Sequence, residues 1–243
     1  MLFKFLEKPI EITASVKPDY AFANTFSPIE KSSKFIPKWW RKTPKSSLTI
    51  SEDNKITALL TTKNCPGIIG TFQNGYIVPL WSDLLMRIEN DRWIYQFSDG
   101  ISSIQDHSNN QMVDFHPNYH ILKISTPWTI SASTNINLIF LDPFYHFPKE
   151  RNYYVPYGIS PLIDKNFKIN CFMFVKKEKK EMFMPQGTPL LHIIPITEKE
   201  IKFKTEVITQ EQYLIKQSIV GTSTSFVSNG LNRLRILRKQ KNG

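Results

Sequence analysis

Seven short runs limit what this chain can fold into: ITALLTT, GYIVPL, DRWIYQF, HILKIST, INLIFL, KINCFMFV and LLHIIPI follow one another between Lys55 and Phe203. Each is rich in β-branched or aromatic residues and bounded by Pro, Gly, Asn or Asp, which is the signature of strands. Several alternate apolar with polar positions, as half-buried antiparallel strands do. No helical run alternates with them, so the βαβ units of a parallel sheet are not expected. The expected fold is mostly β, an antiparallel sandwich or barrel over residues 55–205, with short helices at the two ends. No internal repeat is visible.

The ends differ from this middle. Residues 1–54 read as an N-terminal arm and a basic, Trp-containing segment. Within them residues 1–26, interrupted by Pro9 and Pro18, suit an extended arm or edge strand. Ser27-Pro28-Ile29-Glu30 has the make-up of a capping box, with Ser at the N-cap and Pro at the first helical position, and predicts a short helix ending near Pro37. Thr43 to Ser47 then reads as a linker. Residues 206–243 read as a helical basic tail. Thr209 with Gln212 three later predicts a helix over QEQYLIKQSIV that Gly221 can end, and GTSTSFVSNG reads as a connector. Leu231, Leu234 and Leu237 then set one apolar stripe on a final helix.

Composition narrows the class. With 243 residues, 41% hydrophobic and 13% aromatic content and only 9 Gly, the chain can bury a core without staples. Its two cysteines, Cys65 and Cys171, are far apart, so neither a disulfide framework nor a CxxC metal pair exists, and two buried thiols in a reducing compartment are expected. The opening MLFKFLEKPIEI has no apolar run of signal length, and no stretch approaches the roughly 18 apolar residues of a membrane span. A soluble, unprocessed, cytoplasmic protein with no membrane partner is the expectation.

The formal charge of +10 points to an acidic partner, although abundant Lys, Asn and Ile also follow from AT-rich coding. The sharpest basic feature is Lys38-Trp39-Trp40-Arg41-Lys42, flanked by Lys31, Lys34 and Lys45. Basic groups interleaved with aromatics can clamp phosphates and stack bases, giving non-specific nucleic-acid binding. The preferred reading is that the two Trp side chains pack as an anchor while the Lys side chains stay solvated. Arg233, Arg235 and Arg238 in the tail pose the same choice between phosphate contact and a wet face.

Catalytic signatures are sparse. HPNYH spaces His116 and His120 four apart, but Pro117 lies between them, and even with Asp114 the set falls short of a metal site, so no metal is expected. His192 reads as a hydrogen-bonded strand residue. GxGxxG, GxxxxGK[ST] and GxSxG are all absent, which removes the dinucleotide, P-loop and α/β-hydrolase readings. Asp83 in PLWSDLLMRI and Asp164 in GISPLIDKNFKIN each follow apolar residues at a strand edge, where a carboxylate can orient water or a sugar hydroxyl, or can organise a turn.

Two resemblances emerge from the motifs. KFIPKWWRKTPK, TTKNCPGIIGTFQNGYIVPLWSDL, LKISTPWTI and MPQGTPLLHIIPI, in this order, resemble an uncharacterised family of tailed-phage and bacterial proteins along most of the chain. That resemblance implies a phage or bacterial origin, with the host cytoplasm or the virion as location, and no activity. Separately, the stretch from Gly158 to Pro195 is similar to trimeric deoxyuridine triphosphatases, whose sugar-binding hairpin carries an Ile-Asp pair with an aromatic residue three later, here Ile163, Asp164 and Phe167. This second resemblance implies a related β fold, a trimer with shared sites, and nucleotide binding or hydrolysis. Asp164 would be the water- or sugar-contacting acid, with Ser125, Thr126 and Asp83 as secondary groups, and Mg²⁺ would enter only with that activity. Phe167 lacks the usual Tyr hydroxyl, and no Arg-Ser phosphate motif stands around Ser125-Thr126-Pro127-Trp128. The function expected first is therefore a non-enzymatic, phage-associated module that binds a protein partner or itself, with the nucleotide enzyme second.

Overall fold

A computed structural model describes residues 8–50, 55–89, 92–106, 118–147, 151–162, 166–178 and 181–223, with backbone only for 92 and 217–223. The first main sheet runs in the order β11 (Tyr153–Tyr154), β13 (Phe167–Lys176), β9 (Tyr119–Ala132), β1 (Ile10–Val16), β16 (Ile201–Val207), with β8 (Ile104–Asp106) also on β9. The second runs β12 (Gly158–Leu162), β10 (Ile136–Leu141), β15 (Pro189–Ile196), β5 (Tyr76–Pro79), β2 (Glu30–Lys31). One contiguous core takes Ile12, Ile124, Trp128 and Cys171 from the first sheet and Val78, Leu138, Leu191 and Ile193 from the second. Both sheets have open ends, so the fold is a sandwich and not a barrel. Every one of the seven sequence runs is a strand.

Two smaller sheets complete the chain: β14 (Glu181–Met184), β6 (Leu84–Glu89) and β7 (Arg92–Phe97) form one, and β3 (Ser46–Ile50) pairs with β4 (Ile56–Leu60) in the other. Four α-helices are described: α1 (Ala21–Phe26), α2 (Lys38–Lys42), α3 (Pro66–Gln73) and α4 (Gln210–Ser223). At α4 the capping box is complete, because Thr209 N donates to Gln212 Oε1 at 3.0 Å and Gln212 N to Thr209 Oγ1 at 3.2 Å.

Several expectations need correction. Strand β1 is not an edge: it lies between β9, antiparallel, and β16, parallel, with Ile12, Ala14 and Val16 in the core. Ser27 ends a helix instead of starting one. Its N–H donates to Ala23 O at 3.0 Å, Pro28 cannot continue the ladder, and Glu30 and Lys31 go on to pair with Ile77 and Tyr76 of β5. Ser46 and Ser47 belong to β3 and not to a linker. Cys171 is buried as expected, but Cys65 is exposed. Finally, β12 pairs with β10 and β13 with β9 and β11, so the strands flanking residues 163–165 enter different sheets and do not form a hairpin.

Candidate interaction surface

Strands β3 and β4 pair only with each other. Their register sets Ile50 opposite Ile56, Leu48 opposite Ala58 and Ser46 opposite Leu60. Directly opposed residues share a face and every second pair returns to it, so Leu48, Ile50, Ile56, Ala58 and Leu60 form one apolar face. That face is open: Leu48 and Leu60 are each 78% exposed, and Ile50 and Ile56 each 69%. Ser47, Thr49 and Thr57 occupy the opposite face with Leu59. A lone two-stranded hairpin with an uncovered apolar face is marginal in water, and a patch of this kind marks an interaction site.

The base of the hairpin is clamped. Thr61 N donates to Lys45 O at 3.1 Å, Thr61 Oγ1 to Pro44 O at 2.5 Å and Lys63 Nζ to Trp40 O at 2.6 Å. Trp40 is buried against Ile68 and Phe72, its ring 5.1 Å from the Phe72 ring, while half-buried Trp39 donates from Nε1 to Tyr145 O at 2.9 Å. The Trp pair thus packs as an anchor in the described structure. Around it Lys38, Arg41, Lys42 and Lys45 are exposed, a basic collar at the foot of an apolar arm.

The remaining nominated residues are dispersed. Asp83 accepts from Gln186 N at 2.7 Å, and Gly187 N donates to Leu80 O at 2.7 Å, so the PLWSDL and MPQGTP motifs interlock as two turns. Ser125 Oγ donates to Asn170 Oδ1 at 3.1 Å, and buried Thr126 donates to Ile169 O at 2.9 Å. Phe167 packs against Phe140, centroids 5.8 Å apart, at the edge of a cavity of about 190 Å³ that Tyr157, Ile159 and Leu191 also line. Asp164, Arg233, Arg235 and Arg238, like His116 and Asp114, lie outside the described residues. His120, on β9, sets its ring edge-on to Trp93 at 5.7 Å.

Sequence reasoning missed a partly buried ion pair. Asp142 accepts from Arg151 Nη2 at 2.5 Å and from Val155 N at 2.8 Å, and the guanidinium lies over Phe147 and Tyr153. Nearby, burial first and then His192 and Arg151 lower His146 to about 4. Burial pushes the Tyr153 phenol up to about 12 and raises the Cys171 thiol, and it lowers His192, whose Nε2 donates to Asn74 O at 2.7 Å. Each of these shifts favours the neutral form, so beyond the Asp142–Arg151 pair these groups are uncharged at neutral pH. A lysine is affected too: burial, with Lys17 adding to it, holds Lys168 at about 8.

Among the described residues no cluster of His, Cys, Asp and Glu could hold a metal ion, and no helix is long and apolar enough to cross a membrane. No family model, curated protein or solved structure matches the chain.

Proposed function

We propose that the chain is a non-enzymatic binding and structural module that assembles with further copies of itself through the apolar face of the β3–β4 hairpin. The observation that carries this reading is the uncovered row of Leu48, Ile50, Ile56, Ala58 and Leu60 on a hairpin hydrogen-bonded and packed at its base. A twofold pairing covers this face with the same face of a second copy, one self-complementary patch. The commitment of Asp83 to a turn, of Ser125 to the Asn170 side chain and of Thr126 to strand backbone supports a binding role over catalysis. With the resemblance to tailed-phage proteins, the module would act in the host cytoplasm or the virion.

Light scattering of the full chain at micromolar concentration tests the reading. The wild type is expected to be dimeric, and Leu48→Asp and Ile56→Asp to be monomeric with unchanged melting. A monomeric wild type, or an oligomer indifferent to both substitutions, overturns it.

A further inference from the structure

The sandwich has two open sides, and on the one away from Phe167 the edge strands β2 and β16 meet under α1. A groove of about 390 Å³ lies there, within the size range of ligand sites. Its floor is aromatic: the rings of Tyr76 and Phe203, one from each main sheet, stack with centroids 4.2 Å apart and planes 22° from parallel. Tyr76 is almost fully buried in that stack and Phe203 is only partly so, which leaves the Phe203 side open to a further flat group.

The rim is basic. Lys31 is the cross-strand neighbour of Tyr76, so the two side chains leave the same face of the β2–β5 pair. Lys34 and Lys204 also line the groove, and each is matched by a carboxylate, Lys34 by Glu30 and Lys204 by Glu206 at 3.3 Å. Lys31 has no ion-pair partner among the described residues, so its charge is available to a ligand. On the side of α1, Asn24 closes the wall of the groove.

An uncompensated cation and an aromatic platform lie together in one groove, and each calls for a different part of the same molecule. We infer that this groove binds a nucleoside phosphate, with the base over Phe203 and the phosphate on Lys31. The site is remote in sequence from the hairpin and independent of self-association.

Calorimetric titration of the full chain with adenosine monophosphate, adenosine, inorganic phosphate and a short single-stranded oligonucleotide tests it. The monophosphate is expected to bind, with adenosine and inorganic phosphate each clearly weaker. Exposed Lys31 can be replaced without disturbing the core, and Lys31→Ala should weaken the monophosphate by roughly tenfold, the worth of one charge-assisted contact. Phe203→Leu, checked for unchanged circular dichroism, should remove the preference for the monophosphate over inorganic phosphate. Absence of monophosphate binding, equal binding by Lys31→Ala, or inorganic phosphate binding as tightly as the nucleotide each overturns the proposal. So does an oligonucleotide that binds far more tightly than the mononucleotide, because it assigns the groove to a nucleic-acid strand.

Discussion

Trp39 Nε1 donates to the carbonyl oxygen of Tyr145 at 2.9 Å, joining the basic segment to a turn 106 residues later. Beside it Trp40 fills a small second core with Ile68 and Phe72. Substitution by Ala should therefore cost stability before it costs any binding, about 3–5 kcal/mol for Trp40→Ala and less for half-buried Trp39→Ala. Thermal melting and single-stranded DNA binding at two salt concentrations check this. Unchanged melting with lost, salt-sensitive binding would instead make the Trp pair a stacking platform.

Glycine substitutions separate crowding from backbone strain. Gly75 has φ +75°, and a Cβ there would lie 2.3 Å from Ile193 O and 2.9 Å from His192 Nε2. Gly187 has φ +82°, and a Cβ added there would meet nothing within 4 Å. Gly187→Ala should cost about 1–2 kcal/mol, the left-handed penalty alone. Gly75→Ala should cost clearly more, because backbone must also shift. Equal denaturation midpoints for the two variants would contradict this.

Acid should weaken the fold through His146. Its folded value of about 4 lies below the ordinary 6.5 because burial, then His192 and Arg151, disfavour the cation. The unfolded chain thus binds the proton first, and the contribution is complete above about pH 6.5 and declines as pH falls toward 4. At 1.36 kcal/mol per decade the loss approaches about 3 kcal/mol. Urea denaturation across that window should show the decline, and His146→Phe should flatten it. An unchanged slope in His146→Phe would assign the effect to other groups, His192 first among them.

Thr209→Ala removes the acceptor for Gln212 N at the start of α4 and keeps the backbone N–H that donates to Gln212 Oε1. It should cost about 1 kcal/mol locally. Faster amide exchange confined to the first turns of α4 is the expected signal, since Lys216 still ties the helix to Ser15 at 2.8 Å. Loss of global stability by several kcal/mol would mean that α4 is integral to the sandwich.

Legibility followed the range of the interactions involved. Thr209-x-x-Gln212 and Ser27-x-x-Glu30 are the same motif, yet only the first caps a helix. At Ser27 the preceding residues are already helical, Ile29 is drawn into the core and Lys31 pairs with Tyr76, 45 positions away. A short window contains none of those partners. Strand identity was readable because alternation and β-branching are local, and the basic Trp segment was readable because it is contiguous. The hairpin face was not, because ITALLTT is apolar and β-prone like a covered strand and its residues do not say whether anything covers the apolar side. The groove at Lys31 is assembled from distant segments, whereas the group around Asp142 and His146 comes mostly from neighbouring positions in the chain and matches no sequence signature.

The parallel register of β1 on β16, Ile10 beside Ile201 through Val16 beside Val207, also sets an order of events during synthesis. β1 is the first described strand to leave the ribosome, yet one of its two hydrogen-bonding edges has no neighbour until translation has passed Val207. Its other neighbour, β9, arrives far earlier and can pair with it at once. Between the synthesis of β1 and that of β16, a largely apolar strand therefore exposes an unpaired edge, the kind of surface on which chaperones act and aggregates nucleate. Contacts spanning so much of the chain also slow the final ordering step.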